Sequence, residues 1–289
     1  MKVGFVGLGA MGYSMAQNLH QAGLLAAVYN RSPEKARRLA KETGCTAAPS
    51  LGELARLCDA VVLCVSADAD VLEVTDALLP GLKPGAMVMD CSTVSAATAR
   101  DAAARLKPRG VDFLDCPVSG GTEGAKNGTL AIMCGGGEAA FARAEPILKA
   151  LGKRFELMGP TGAGQATKAV NQIVVAGVAQ AVSEALAFAA AEGLPLDKVI
   201  EVVGSGAAQS WFLTNRGPNM MRMSFPLGFK VSLHDKDLRI VQQMAGSRNV
   251  QLPVVEMTRI HYKRLMEGGH GDEDISSLFR LKHEMFREK

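Results

Sequence analysis

Residues 3–12 read VGFVGLGAMG, an apolar run that passes directly into a glycine-rich turn. Valine and phenylalanine favour a buried strand, and the glycines follow the G-x-G-x-x-G spacing that joins a strand to a helix in dinucleotide-binding folds. The first glycine permits a tight turn, the second lets a pyrophosphate approach backbone N–H groups, and the third allows close helix packing. The stretch therefore predicts a cofactor turn formed by Gly7, Leu8, Gly9, Ala10, Met11 and Gly12.

The pattern of this first strand recurs along the first half of the chain. Similar apolar runs occupy residues 24–30, 60–66, 85–92, 111–117 and 129–136, with helical patterns between them. Such alternation predicts an α/β, doubly wound and mostly parallel sheet with helices on both faces. Ser32 before Pro33, and Ser50 before Glu53, are typical starts for two of these helices.

The composition changes after GPTGAG at residues 159–164. From there the chain is rich in Ala, Val and Met, and it predicts helices with almost no strand signal. We place a domain boundary at this point, giving an α/β domain of residues 1–162 and an all-α domain of residues 163–289. A long helix of about 165–192 begins the second domain, and its polar interruptions at Gln180, Ser183 and Glu184 predict a buried helix rather than a membrane span.

The end of the second predicted strand reads Asn30-Arg31-Ser32. An NAD site places an acidic residue here for the ribose 2′-hydroxyl, and this chain has none. The guanidinium of Arg31 suits a 2′-phosphate, so the sequence predicts that NADP(H) is preferred over NAD(H). The alternative is that Arg31 is an ordinary solvated loop residue.

Overall composition excludes some classes of partner. The formal net charge is only +3, from 32 Lys and Arg against 29 Asp and Glu, which argues against a nucleic-acid binder. The six cysteines show no zinc-site spacing and lie mostly in apolar runs, so we expect no metal, a reducing environment and a cytoplasmic location. The sequence opens directly on the first predicted strand, so we also expect no signal peptide.

Four motifs in order resemble one enzyme family: FVGLGAMG at 5–12, DCST at 90–93, DCPVSGG at 115–121 and G-x-GQATKAVNQ at 162–172. The chain is similar to the β-hydroxyacid dehydrogenases, which include 3-hydroxyisobutyrate dehydrogenase, tartronate semialdehyde reductase and succinic semialdehyde or glyoxylate reductases. The resemblance implies an N-terminal Rossmann domain, a long interdomain helix and an all-α C-terminal domain.

The resemblance also implies roles for individual residues. It gives Lys168 the role of general acid and base, and it makes Asn171, one turn later on the same helix face, a second catalytic residue that orients the substrate. A lysine fits because an aldehyde that receives a hydride develops negative charge on its oxygen, which an ammonium both stabilises and protonates. The other implied residues hold the substrate carboxylate (Ser119, Gly120, Gly121), contact the cofactor (Val65, Ser66, Thr93) or close the site (Lys236).

The substrate and the assembly are less closely defined by the sequence. Trp211 and its surroundings resemble the 3-hydroxyisobutyrate and serine branch, and Trp211 is expected to form a wall of the substrate pocket that limits it to short substrates. The alternative is that Trp211 is an ordinary core residue, and Arg216 pairs either with a carboxylate or with a neighbouring acid. The alternatives are a succinic semialdehyde or glyoxylate reductase, an imine reductase and a silent cofactor-binding scaffold; Lys168 argues against the last two. We also expect the acids at 272–274 to cap a helix, and the apolar helices to assemble into a homodimer or homotetramer.

Overall fold

The computed structural model describes residues 1–286. The chain divides into two compact units, a first of Met1–Lys168 and a second that begins at Ala169. The sequence prediction placed the division after Gly162, where the long helix begins, whereas the compact units divide within the first turns of that helix.

The first unit contains one sheet, and its six predicted strands are all present. The strands are β1 (Val3–Val6), β2 (Leu25–Tyr29), β3 (Thr46–Ala47), β4 (Ala60–Leu63), β5 (Met87–Asp90), β6 (Asp112–Asp115), β7 (Val118–Ser119), β8 (Leu130–Gly135) and β9 (Gly152–Gly159). Their order is β3-β2-β1-β4-β5-β6-β8-β7, with β9 paired to β8. The pairs from β3 to β6 are parallel, while β8 runs antiparallel to both β6 and β7.

Helices cover both faces of this sheet. They are α1 (Gly12–Gln21), α2 (Pro33–Thr43), α3 (Leu51–Leu57), α4 (Asp68–Leu78), α5 (Ala96–Leu106), α6 (Gly121–Asn127) and α7 (Glu138–Leu151). Successive strand residues enter opposite cores: Phe5 belongs to one apolar cluster and Val6 to the other. Because both faces are buried, the central strands are apolar throughout, which is why continuous runs marked them in the sequence.

The second unit consists of helices over its described residues. They are α8 (Ala163–Ala191, which begins in the first unit), α9 (Leu196–Gly204), α10 (Trp211–Met220), α11 (Val231–Gly246), α12 (Pro253–Glu267) and α13 (Leu278–Glu284). Leu186, Leu238 and Tyr262 are fully or almost fully buried in its single core. The predicted fold class, a Rossmann-like sheet followed by an all-α region, is confirmed.

Helix α8 is long and apolar enough to pass a length and composition test for a membrane span. Core helices of soluble proteins pass the same test, and Ala176, Ala179 and Leu186 of α8 pack in the core of the second unit. The absence of a membrane segment stays a prediction.

In the acidic loop before the last helix, Asp274 caps a helical turn, as predicted. Asp274 begins a 3-10 turn at Ile275–Ser277, and one of its oxygens accepts from the Ser276 N–H. Its other oxygen accepts from the N–H groups of Gly228 and Phe229 at 3.0 and 2.9 Å. Asp274 therefore ties the loop before α11 to the loop before α13.

Candidate functional site

The glycine-rich turn after β1 has the geometry that its spacing predicts. Gly7 has a φ of +96°, and a Cβ there would collide with the carbonyl oxygen of Cys64. A Cβ at Gly12 would collide with the carbonyl oxygen of Gly7, whereas a Cβ at Gly9 would meet nothing within 4 Å. The first and third glycines are therefore needed for close packing, and the second leaves open space beside the turn.

The start of α1 presents an unshielded helix N-terminus at the same place. Its N-cap residue Met11 makes no side-chain cap hydrogen bond, and the first turn contains no acidic residue. The exposed residues Gly9 and Ala10 lie directly before it. A helix N-terminus of this kind stabilises a phosphate through backbone N–H groups and its dipole, so the turn fits a dinucleotide pyrophosphate.

The predicted cofactor residues at the end of β2 differ in what their side chains contact. Asn30 accepts the Leu8 N–H at 2.8 Å and donates to the Ser32 carbonyl at 2.9 Å, so its side chain shapes the turn from within the protein. The Arg31 side chain is 92% exposed and lies 3.8 Å from an Asp70 oxygen. Because a pair so exposed is weak, Arg31 is available to an anionic ligand.

The loops after β4 and β5 are joined next to this turn. The Ser92 Oγ accepts the Val65 N–H at 2.9 Å, which connects the predicted cofactor residues Val65 and Ser66 with Thr93. Strands β1 and β4 are neighbours although β2 follows β1 on the other side, so the connections diverge between them. Such a switch point at the carboxyl ends of parallel strands is where open α/β sheets bind their ligands.

Lys168 lies against the strand that carries the predicted carboxylate-binding residues. Its side chain is 7% exposed, and its Nζ donates to the Val118 carbonyl at 2.8 Å. Val118 precedes Ser119, and Gly120 and Gly121 follow with φ angles of +131° and +62°. The structure thus brings the predicted proton donor and the predicted carboxylate cradle together within the first unit.

Two buried carboxylates, Asp90 and Asp115, stand at the ends of β5 and β6. The Asp115 oxygens accept N–H groups from Gly162 and Gln165 at 2.7 and 2.9 Å, at the start of α8. Burial raises the pKa of the Asp115 carboxyl, although these N–H bonds act in the opposite direction. Burial also raises the pKa of Asp90 to about 7; one of its oxygens accepts from Ser92, and the other has no hydrogen-bond partner among the described residues.

In the second unit, Asn171 and Lys236 are connected through two residues that the sequence prediction did not single out. Asn171 donates to the Gln172 Oε1 at 2.7 Å, and Gln172 donates to the Asp237 Oδ2 at 2.7 Å. The other Asp237 oxygen lies 3.0 Å from the Lys236 Nζ. This chain of contacts fixes the orientation of both predicted site residues, whose roles stay predictions.

Trp211 and Arg216 contact each other at the start of α10. Trp211 is 56% exposed, and the Arg216 guanidinium lies 5.2 Å from its ring centroid. Arg216 also pairs with the buried Asp274 at 3.3 Å, so it has a neighbouring acid as partner, which was one of its two predicted roles. The exposure of Trp211 leaves it available to a ligand, and its role as a pocket wall stays a prediction.

The described residues contain no group of three or more His, Cys, Asp or Glu that could hold a metal ion. All six cysteines are free thiols. The expected absence of a metal and the expected cytoplasmic location both stay predictions.

Sequence reasoning missed four buried polar residues near the predicted site: Asp115, Gln165, Gln172 and Asp237. Asp115, Gln165 and Gln172 stand within the motifs quoted above, and Asp237 follows the predicted Lys236. Their places inside or beside predicted site residues are the signal that could have identified them, because buried polar groups need partners.

Two known families match the chain, one on each side of the start of α8. The NAD binding domain of 6-phosphogluconate dehydrogenase matches residues 2–159. The family described as NAD-binding of NADP-dependent 3-hydroxyisobutyrate dehydrogenase matches residues 162–282. Together they cover nearly the whole chain.

Individual relatives match over the full length as well. An uncharacterized oxidoreductase of Shewanella frigidimarina is 40% identical over 96% of this chain and 96% of its own. The 2-hydroxy-3-oxopropionate reductase of Escherichia coli is 35% identical over 100% of this chain and 99% of its own. The crystal structure of 3-hydroxyisobutyrate dehydrogenase from Salmonella typhimurium is 35% identical, covers 97% of this chain and 99% of that one, and superposes with a TM-score of 0.84.

Proposed function

This chain belongs to the β-hydroxyacid dehydrogenase family of NAD(P)-dependent oxidoreductases, and we propose that it transfers a hydride between NADP(H) and a small 3-hydroxy acid or its semialdehyde. The substrates that fit best are of the 3-hydroxyisobutyrate, serine or tartronate semialdehyde type. Lys168 is the general acid and base of the proposed reaction.

The contact between Lys168 and the strand before Ser119 carries this proposal. The Nζ is buried and held at 2.8 Å from the Val118 carbonyl, so the ammonium occupies a defined position next to the cradle. Ser119, Gly120 and Gly121 offer a hydroxyl and unobstructed N–H groups to a substrate carboxylate. A carboxylate fixed there would leave the rest of a three-carbon acid beside Lys168, which supports the proposal of a short substrate.

The proton transfer follows from the charge that develops on the substrate. The bound nicotinamide supplies or accepts the hydride. As the carbonyl is reduced, an electron pair moves to its oxygen, and the Lys168 Nζ stabilises the charge and gives that oxygen a proton. In the oxidative direction the neutral amine takes the hydroxyl proton back.

The preference for NADP(H) is supported by the residues that end β2. No acid stands at residues 30–32, and the exposed guanidinium of Arg31 is the donor that suits a 2′-phosphate. Asn30 is already used inside the turn and adds no charge.

The deciding experiment replaces Lys168 and a matched buried lysine. Lys168→Ala should lower kcat by roughly 10²–10⁴-fold, because the proton donor is lost, and leave the NADPH dissociation constant nearly unchanged. Lys282 is a suitable control since it is 5% exposed and pairs with Glu184 at 2.6 Å in the other unit. Lys282→Ala should lower stability and keep kcat within about threefold.

The assay measures nicotinamide absorbance with both cofactors and a panel of 3-hydroxyisobutyrate, serine, tartronate semialdehyde, succinic semialdehyde and glyoxylate. We expect the highest kcat/KM for a three- or four-carbon 3-hydroxy acid or its semialdehyde with NADP(H). Retention of most of the activity by Lys168→Ala, or turnover of an imine and of none of the panel, would contradict the proposal.

A further inference from the structure

One glutamine in the first turn of α8 holds the backbone on both sides of Thr93. The Gln165 Nε2 donates to the Ser92 carbonyl at 2.8 Å, and its Oε1 accepts the Val94 N–H at 3.2 Å. The Gln165 residue is only 2% exposed. A single planar amide thus fixes the segment that carries a predicted cofactor contact.

The backbone of the same glutamine is fixed as well. Its N–H donates to the Asp115 Oδ2 at 2.9 Å, while the Asp115 Oδ1 accepts the Gly162 N–H at 2.7 Å. Asp115 stands at the end of β6, so the start of α8 is anchored to the sheet. Gln165 therefore joins an anchored helix end to the Thr93 segment.

Lys168 follows Gln165 by three residues on this helix. Side chains at i and i+3 share a helix face, so the residue that holds the Thr93 segment is a neighbour of the residue that holds the proton. The far end of the Lys168 side chain is fixed on the Val118 carbonyl. The positions of the Thr93 segment and of the Lys168 Nζ are thereby set by one rigid turn.

We infer that Gln165 is a positioning residue, which sets the distance between the cofactor-contacting Thr93 segment and the Lys168 Nζ. The inference rests on the proposed function, in which hydride transfer and proton transfer act on two adjacent substrate atoms. A misplacement of about 1 Å between reacting groups costs on the order of 10²-fold in rate. Only an amide has the required donor and acceptor on one plane without placing a charge in a buried site.

The test compares two glutamine-to-methionine variants on the same helix. Gln165→Met keeps the length of the side chain and removes both hydrogen bonds. Gln180→Met is the matched control, because the Gln180 amide also makes two contacts, with Thr258 at 3.2 Å and with His261 at 3.0 Å, in the second unit. Both variants should lower the melting temperature, since each loses contacts of similar kind.

Only Gln165→Met should change the chemistry. We expect its kcat to fall roughly 10- to 100-fold with a smaller change in KM, and Gln180→Met to keep kcat within about twofold. The deuterium isotope effect on kcat, measured with cofactor labelled at the transferred hydrogen, should rise in Gln165→Met because hydride transfer becomes rate-limiting. A loss of stability alone would leave the isotope effect unchanged.

A second measurement reports on the contact without any substrate. The Val94 amide donates to the Gln165 Oε1, so its hydrogen exchange should be at least about 10-fold faster in Gln165→Met and unchanged in Gln180→Met. If Gln165→Met does not fold, Gln165→Asn keeps a neutral amide that is one methylene too short to reach both Ser92 and Val94, and it should show the same loss of kcat and faster exchange at Val94.

The outcomes separate this inference from the proposed function. If the unmodified protein turns over the panel and Gln165→Met keeps kcat within about twofold, the positioning role is refuted while the proposed function stands. Unchanged hydrogen exchange at the Val94 N–H would refute the hydrogen bond between Val94 and Gln165 itself, whatever the activity. If the unmodified protein turns over none of the panel, the proposed function fails, and the positioning role fails with it.

Discussion

At the residue scale, two carboxylates end neighbouring strands and experience different surroundings. Asp90 and Asp115 are direct partners in the register of β5 and β6. Both Asp115 oxygens accept backbone N–H groups, which stabilise the ionised form. Asp90 is completely buried, and one of its oxygens has no partner within residues 1–286, so the protonated form is favoured and its pKa rises to about 7.

This raised pKa predicts a loss of stability as pH increases. In the unfolded chain Asp90 releases its proton near pH 3.9, whereas the folded protein holds it to about 7. The unfolded state is therefore favoured progressively between these values, and the stability present below about pH 4 is lost as pH rises through about 7. Asp90→Asn mimics the neutral acid and keeps the acceptor for Ser92, so its stability relative to the unmodified protein should increase by more than about 1 kcal/mol between about pH 5 and about pH 8.

Urea unfolding at the two pH values measures this difference. Asp112→Asn is the control, because Asp112 begins β6 and pairs with Arg143 at the surface, where it is not buried as Asp90 is. The control should show no gain at the higher pH. An equal loss of stability by Asp90→Asn at both pH values would mean that Asp90 is ionised in the folded protein.

Residue-scale prediction from the sequence succeeded where the chemistry is local. The positive φ of Gly7 and the close approach of Gly12 to the Gly7 carbonyl both arise within ten residues of strand, turn and helix. The roles of Asp115 and Gln165 depend on contacts with residues 47 to 73 positions away in the sequence. No local spacing encodes such contacts, so they emerge only from the folded sheet.

At the element scale, the burial of a strand decided whether the sequence predicted it. The buried central strands were evident as continuous apolar runs, but β9 alternates exposed and partly buried residues such as Arg154, Phe155 and Glu156. An edge strand of this kind resembles a polar loop in sequence. The antiparallel direction of β8 was also not predictable, because strand direction depends on the path of the connections through β7 and α6.

Two helix starts that look alike in sequence are predicted to differ in strength. Ser50 accepts the Glu53 N–H at 3.2 Å, whereas Ser32 makes no side-chain cap hydrogen bond. Glu53 does not complete a reciprocal capping box, since it pairs with Arg56 at 2.6 Å. Ser50→Ala should therefore cost about 1 kcal/mol of unfolding free energy, and Ser32→Ala at most a few tenths.

Chemical denaturation of the cofactor-free protein checks this difference, with the two serines serving as controls for each other. Equal losses for both substitutions would show that the hydrogen bond to Glu53 does not account for the cap.

At the scale of the whole molecule, apolar side chains remain exposed on two helices of the second unit. Val170 and Val174 of α8 are each 59% exposed, and Val254, Met257 and Ile260 repeat every three residues along one face of α12. A Cβ placed on Gly177 of α8 would lie 3.6 Å from the Val254 side chain, so the two helices are neighbours there. A continuous apolar patch of this kind is typical of a surface that another protein chain covers.

We expect a second copy of this chain to cover the patch, because homodimers with one shared surface are the commonest soluble assemblies. Burying the patch would remove apolar area from water, and charges in its centre would oppose this. The double substitution Met257→Asp and Ile260→Asp should therefore shift the mass in light scattering from at least two chains to one chain of 30.4 kDa at micromolar concentration. Leu57→Asp, at an exposed apolar position of α3 in the first unit, is the control and should leave the assembly intact. An unmodified protein that scatters as one chain would refute association, and a double variant that still associates would place the contact on another surface.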